Sequence, residues 1–173
     1  SEMCIRDRTQ QRPDGKNHAL TVVIDWSGSM NGKCQSTIKQ AVTLAMFCKK
    51  VNVPCEVYLF TSEYDVVFKD GTIENNAKLL QILDTSVRNN LFNQDVTTAL
   101  YLGESADDYR QHTLDGFNLG STPLGSALTI SKFTHQSLMA RTNAEVGNII
   151  FLTDGQGDHG VQNRGSKAVV VTD

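Results

Sequence analysis

Five side chains in this sequence carry oxygen donors in places where a cation could collect them: Asp25, Ser27, Ser29, Thr122 and Asp154. The phrase Asp25-Trp26-Ser27-Gly28-Ser29 sets a carboxylate and two hydroxyls at alternate positions of one short loop. Such a set suits a hard cation such as Mg²⁺, which is held by oxygen ligands and usually keeps some water. Ser121-Thr122-Pro123-Leu124 offers a further hydroxyl and Thr153-Asp154-Gly155 a second carboxylate. Singly, each phrase also reads as ordinary turn chemistry, and Thr122 as a helix N-cap before Pro123. Together they put oxygen ligands on three loops at the ends of separate elements, where one cation could gather them.

The elements that must position these residues follow from the apolar pattern. Leu20-Thr21-Val22-Val23-Ile24 is a buried-strand run ending at Asp25. The helical spacing of Ile38, Ala41, Val42, Ala45 and Cys48 predicts a helix from about Ser36 to Val51, its stripe widened by Leu44, Phe47 and Val51, with Pro54 as a stop signal. Cys55-Glu56-Val57-Tyr58-Leu59-Phe60 is a second buried strand, so these three elements form a βαβ unit with a parallel pair. Asp65-Val66-Val67-Phe68 is expected as a hairpin partner of that strand, closed by Lys69-Asp70-Gly71. Leu79, Leu80, Ile82 and Leu83 predict a helix over Ala77 to Val87, and the stretch from 88 to 120 carries no clear pattern. A helix from Pro123 to about Ala140 turns Leu124, Ala127, Leu128 and Leu138 inward, and Gly147-Asn148-Ile149-Ile150-Phe151-Leu152 is a strand ending at Asp154. Lys167-Ala168-Val169-Val170-Val171 follows too soon for a helical crossover and reads as a hairpin-like excursion. Both carboxylates therefore fall at the carboxyl ends of strands, the edge where open α/β sheets keep their ligand sites.

The chain of 173 residues suffices for one domain. Its polar first 18 residues read as a tail, with the domain over 19–173 and incomplete at its C-terminus; Ser1 to Arg8 resembles translated adapter sequence and is given no function. A net charge of −3, without a basic stretch, argues against nucleic-acid binding. No apolar run reaches the roughly 18 residues of a membrane span, and the start lacks a secretory signal's apolar core. Cys4, Cys34, Cys48 and Cys55 show neither CxxC nor zinc spacing and are expected to be reduced thiols. Asp158 and His159 are read as solvated loop, and His18, His112 and His135 as structural or surface residues. Trp26 is open to two readings: exposed beside the metal, or packed beneath the loop.

With these motifs in hand, the sequence resembles the von Willebrand factor A (VWA) domains. Asp25-Trp26-Ser27-Gly28-Ser29 matches their DxSxS signature, Thr122 their second motif and Thr153-Asp154-Gly155 their third, which together build a metal-ion-dependent adhesion site. The resemblance spans about residues 19 to 160. It implies a Rossmann-like, doubly wound α/β fold with a mostly parallel central sheet, helices on both faces and one antiparallel edge strand. It also implies Mg²⁺, or Mn²⁺, bound directly by Ser27 and Ser29, directly or through water by Asp25 and Asp154, and by Thr122 in a state-dependent way. Two carboxylates balance the ion's charge and hydroxyls add none, so it stays electrophilic toward a Glu or Asp from a partner. Leu20 to Met30 and Cys55 to Thr61 are similar to the intracellular bacterial cobaltochelatase CobT-type subunits, including shorter versions in tailed phages. That likeness implies a cytoplasmic protein working with a AAA+ ATPase of the MoxR or CobS kind.

The rival is a Mg²⁺-dependent phosphatase or hydrolase using Asp25 as nucleophile. Haloacid-dehalogenase-like phosphatases place a second Asp two residues after the first; here that position is Ser27, which removes the usual general acid. Neither HExxH nor GxSxG is present.

Overall fold

The computed structural model describes residues 17–62, 66–67, 73–74, 77–108 and 117–154. Strand β1 (His18–Asp25) opens at the last residue of the expected tail, and β2 (Cys55–Ser62) lies parallel to it, with Leu20 opposite Cys55 and Asp25 opposite Phe60. Nearly every residue of both strands is buried, as central strands covered on both faces require. Helix α1 (Cys34–Lys50) links them, preceded by a 3₁₀ turn over Gly28–Met30. The predicted stripe Ile38, Ala41, Val42, Ala45 and Cys48 is buried, but Phe47 (60% exposed) and Val51 face outward, so the stripe is narrower than expected.

Beyond β2 the structure corrects the sequence reading. Val66–Val67 (β3) pairs with Ile73–Glu74 (β4) in a separate two-stranded ribbon rather than with β2. The antiparallel partner of β2 is Ala77–Asp84 (β5), where a helix was expected. A register shift explains the misleading spacing. Leu83 faces Val57 and Gln81 faces Tyr58, so Ile82 is an extra residue, a β-bulge. The bulge moves Leu83 onto the face of Leu80, and a strand acquires a three-residue apolar interval that mimics a helix.

Helix α2 (Asn89–Asp107) occupies the stretch without pattern and packs on α1. Helix α3 (Leu124–Thr142) begins one residue later than expected, with Pro123 rather than Thr122 at the cap position. Its buried face is Ala127, Ser131, His135 and Leu138, while Leu128 is 49% exposed. Strand β6 (Val146–Leu152) lies parallel to β1 and completes a mixed sheet of order β5-β2-β1-β6 among the described residues. This is the Rossmann-like α/β arrangement, mostly parallel with one antiparallel edge. Lys167 to Val171, Asp158, His159, His112, Cys4 and the tail through residue 16 lie outside the described residues.

The two sheet faces differ in chemistry. Val22, Ile24, Val57 and Leu59 join Ile38, Ala41, Phe92, Ala99 and Leu102 in an apolar core under α1 and α2. The α3 face has a smaller apolar cluster, Val23, Phe60 and Ala127, beside buried polar groups. There Nδ1 of His135 lies 2.9 Å from the Thr21 hydroxyl, and burial lowers the imidazole's pKa, keeping it neutral. Buried Glu56 accepts from Tyr58, Gln81 and Arg141, with Asp84 also near the guanidinium.

Helix α3 reaches the sheet closely only because residue 147 has no side chain. A Cβ there would stand 2.1 Å from His135 Nε2 and 2.4 Å from the Met139 sulfur. Met139 can swing away, but the ring is fixed by Thr21. Gly147→Ala is therefore expected to lower the unfolding free energy by about 1–3 kcal/mol, the usual scale of core overpacking, measured by urea denaturation. A loss below a few tenths would show that α3 is free to shift.

Candidate metal centre

Asp25 is the final residue of β1, and its side chain is 0% exposed. Oδ2 accepts a 2.7 Å hydrogen bond from the Thr153 hydroxyl, which draws the loop after β6 against the end of β1. Oδ1 is buried and accepts none. Burial raises the carboxyl's pKa most; Thr153 and then Ser27 lower it, and the negative charge of Asp154 raises it again. The Ser27 hydroxyl and amide lie close enough to favour the charged form, without hydrogen-bond geometry to Oδ1. A carboxylate in this state is under-compensated.

The backbone leaves β1 in extended form at Ser27 and enters the 3₁₀ turn that carries Ser29. Ser27 is buried and Ser29 exposed, with their hydroxyl oxygens 3.0 Å apart. Ser27 forms a parallel bridge with Gly120: Gly28 N–H donates to the Gly120 carbonyl at 2.9 Å, and Gly120 N–H to the Trp26 carbonyl at 3.1 Å. That bridge brings the segment carrying Thr122 alongside the first loop. Gly120 suits the approach, since a Cβ there would meet Thr61 Oγ1 at 2.5 Å and Ser62 Oγ at 2.7 Å. Thr122 is buried, and its carbonyl accepts from Leu124 N–H at the start of α3. Asp154 has a largely covered side chain whose Oδ2 lies 3.4 Å from the Lys33 ammonium.

The structure thus carries all five predicted residues to one end of the sheet. Asp25 and Asp154 are coupled through their charges, Ser27 and Ser29 through their hydroxyls, and Thr122 arrives by way of Gly120. Trp26 is fully buried and its indole N–H donates to the Phe117 carbonyl at 2.8 Å, so it packs beneath the loop. Sequence reasoning gave no role to Thr153, Lys33 or Asp107. Thr153 was visible inside its motif and Lys33 lies just past the first one, whereas nothing in the sequence marked Asp107.

The donor set fits a hard divalent cation. It is all oxygen, it joins two carboxylates that raise each other's cost, and it includes a buried carboxylate oxygen with no donor. Among the described residues no three His, Cys, Asp or Glu side chains cluster, so hydroxyls make up the rest of the set. The thiols of Cys34, Cys48 and Cys55 are free and buried, and burial first, then nearby Asp107, pushes that of Cys34 up to about 12. No helix among the described residues is long and apolar enough to cross a membrane.

Comparison with protein families matches residues 7–94, just over half the chain, to the model described as the cobalamin biosynthesis protein CobT VWA domain. The matched span contains Asp25, Ser27 and Ser29; Thr122 and Asp154 lie beyond it. A comparison with curated proteins gave no match.

The buried charge makes a prediction about the metal-free protein. Because the folded pKa of Asp25 lies above its ordinary 3.8, the fold pays for ionising it. Metal-free stability should fall as pH rises through 3.8 and on to the raised value. Asp25→Asn removes that slope and should raise stability in EDTA near neutral pH by about 1–3 kcal/mol, read from denaturant midpoints. A variant less stable than the parent would mean that the carboxylate is already compensated within the protein.

Proposed function

Because the chain belongs to the family of CobT VWA domains, we propose that it is a metal-dependent protein-binding module in a chelatase-type assembly of cobalamin biosynthesis. In this reading Asp25, Ser27, Ser29, Thr122 and Asp154 hold Mg²⁺, with Mn²⁺ as an equivalent, and the bound ion supplies an electrophilic position for one more oxygen. The observation that carries the reading is the buried Asp25 Oδ1 without a donor, beside the hydroxyl pair of Ser27 and Ser29.

The protein's own residues do the rest. Thr153 orients Asp25 through Oδ2 and leaves Oδ1 for the ion. Ser29, exposed on the 3₁₀ turn, stands on the solvent side, where a partner approaches. Lys33, 57% exposed and paired with Asp154, adds positive charge at the rim. An acidic side chain fits such a site, and the partner proposed is a AAA+ ATPase subunit of the MoxR or CobS kind. The domain itself performs no turnover: Ser27 stands where a phosphatase of the Asp-nucleophile type needs its general acid, and its hydroxyl is engaged with Ser29. A cytoplasmic setting, in a bacterial or phage-infected cell, belongs to the same proposal.

Calorimetric titration with Mn²⁺ and capture of a candidate ATPase subunit test the two halves. Wild type should bind Mn²⁺, and Asp25→Ala should lose at least tenfold in affinity, the scale on which even supporting residues matter. Capture should need Mg²⁺, fail in EDTA and fail with Asp25→Ala. Equal capture in every condition would end the bridging idea, and phosphatase activity lost in Asp25→Ala would favour the rival.

A further inference from the structure

Helix α1 begins immediately after the loop that carries Ser27 and Ser29, yet it does not cap itself. Its N-cap residue is Lys33, which makes no side-chain capping bond, and its first turn holds no acidic residue. A helix start normally needs acceptors for its free N–H groups, and a basic residue there opposes the helix dipole. The missing acceptor comes from another element. Asp107, the last residue of α2, takes Gly32 N–H at 2.8 Å and Cys34 N–H at 3.0 Å on Oδ1, and Gln35 N–H at 2.8 Å on Oδ2. Gly32 has φ of +80°, a left-handed conformation that favours glycine and lets the chain turn so that these amides converge.

We propose that Asp107 is a positioning residue for the metal centre, holding the Ser27–Ser29 loop in its binding shape from the end of α2. The proposal rests on the metal-binding reading above. Its physical path is short. The amides that Asp107 fixes adjoin Met30, whose carbonyl accepts from Lys33 N–H at 2.8 Å and from the Cys34 thiol at 3.3 Å. Met30 N–H in turn donates to the Ser27 carbonyl at 3.0 Å, and Asn31 N–H to the Gly28 carbonyl at 3.3 Å. Asp107 does not act as a sixth ligand, because its oxygens are committed to three amides. The same α2–α3 connection then returns to the loop at Phe117, which accepts from Trp26, and at Gly120. Asp107 is the point where that connection begins.

The test compares full-length wild type, Asp107→Ala and Asp107→Asn in three measurements: Mn²⁺ affinity by calorimetry, amide exchange over Gly28–Gln35, and alkylation of Cys34 resolved by peptide mass spectrometry without metal. Asp107→Asn keeps the size and an acceptor, and remains informative if the alanine variant folds poorly. The alanine variant should expose Cys34 and the loop amides while Cys48 and Cys55 stay protected, and should weaken Mn²⁺ binding about tenfold or more, as loss of supporting residues around metal ligands does. Asparagine should fall between. Unchanged protection of Cys34 and of the loop amides would overturn the proposal, as would a loosened loop that binds Mn²⁺ as tightly as wild type. Wild type that binds no Mn²⁺ would instead remove the metal reading, and the role of Asp107 in shaping the loop would then be decided by Cys34 and the amides.

Discussion

A carboxylate at the carboxyl end of a parallel strand buried along nearly its whole length is costly, and the arrangement around Asp25 follows from that cost. β1 is covered on both faces, so Asp25 cannot turn to bulk water. One oxygen is satisfied by Thr153, and the other stays without a donor. Asp154, from the end of the adjacent strand, adds to the charge. Proteins that only need a stable strand end have no use for two carboxylates there, since replacing one by a neutral residue would relieve the repulsion. Lys33 offsets part of that charge at Asp154, and the remainder at Asp25 is what the proposed metal would compensate.

The contrast between the sheet's faces bears on the same point. Under α1 and α2 the core is apolar and closely knit, and it holds Trp26 directly beneath the loop. Under α3 the interface mixes a small apolar cluster with Thr21, Ser131, His135 and the Glu56 group. Hydrogen bonds there specify how α3 sits, while contributing less burial than the other face. Phe117 and Leu119, just ahead of Thr122, pack against the larger core as Trp26 does, whereas Leu124, at the start of α3, packs against the smaller one.

The placing of the five oxygen-bearing residues, the βαβ unit and the last strand were legible because their signals are local: a strand's apolar run ends and an oxygen-bearing turn follows. The parts that were not legible depend on non-local geometry. The bulge at Ile82 appears only once β5 is paired with β2, and it converts Leu80 and Leu83 into same-face neighbours with helical spacing. The α2 sequence holds Phe92, Ala99, Leu102 and Ala106 among polar residues, and its partner surface on α1 cannot be seen in the sequence. Phe47 and Leu128 fit helical stripes by spacing, yet they face outward because the stripes that reach the sheet are narrow. Trp26 could be decided only by the position of the Phe117 carbonyl, 91 residues away.

Those non-local contacts share a source. Between Asp107 and Thr122 the chain meets the first motif through the α1 amides, the Trp26 indole and the Gly120 bridge. Each contact is a hydrogen bond to backbone on one side at least, so each fixes position more than it contributes apolar burial. A metal site of the kind proposed, assembled from three loops, would need that kind of restraint, because ligand geometry tolerates little displacement while loops tend toward mobility. The Lys33–Asp154 pair is of another sort: exposed on the lysine side, long and screened by solvent, it is worth little to stability. Its consequence is electrostatic: a cation at the rim offsets part of the negative charge that Asp25 and Asp154 bring to the strand ends.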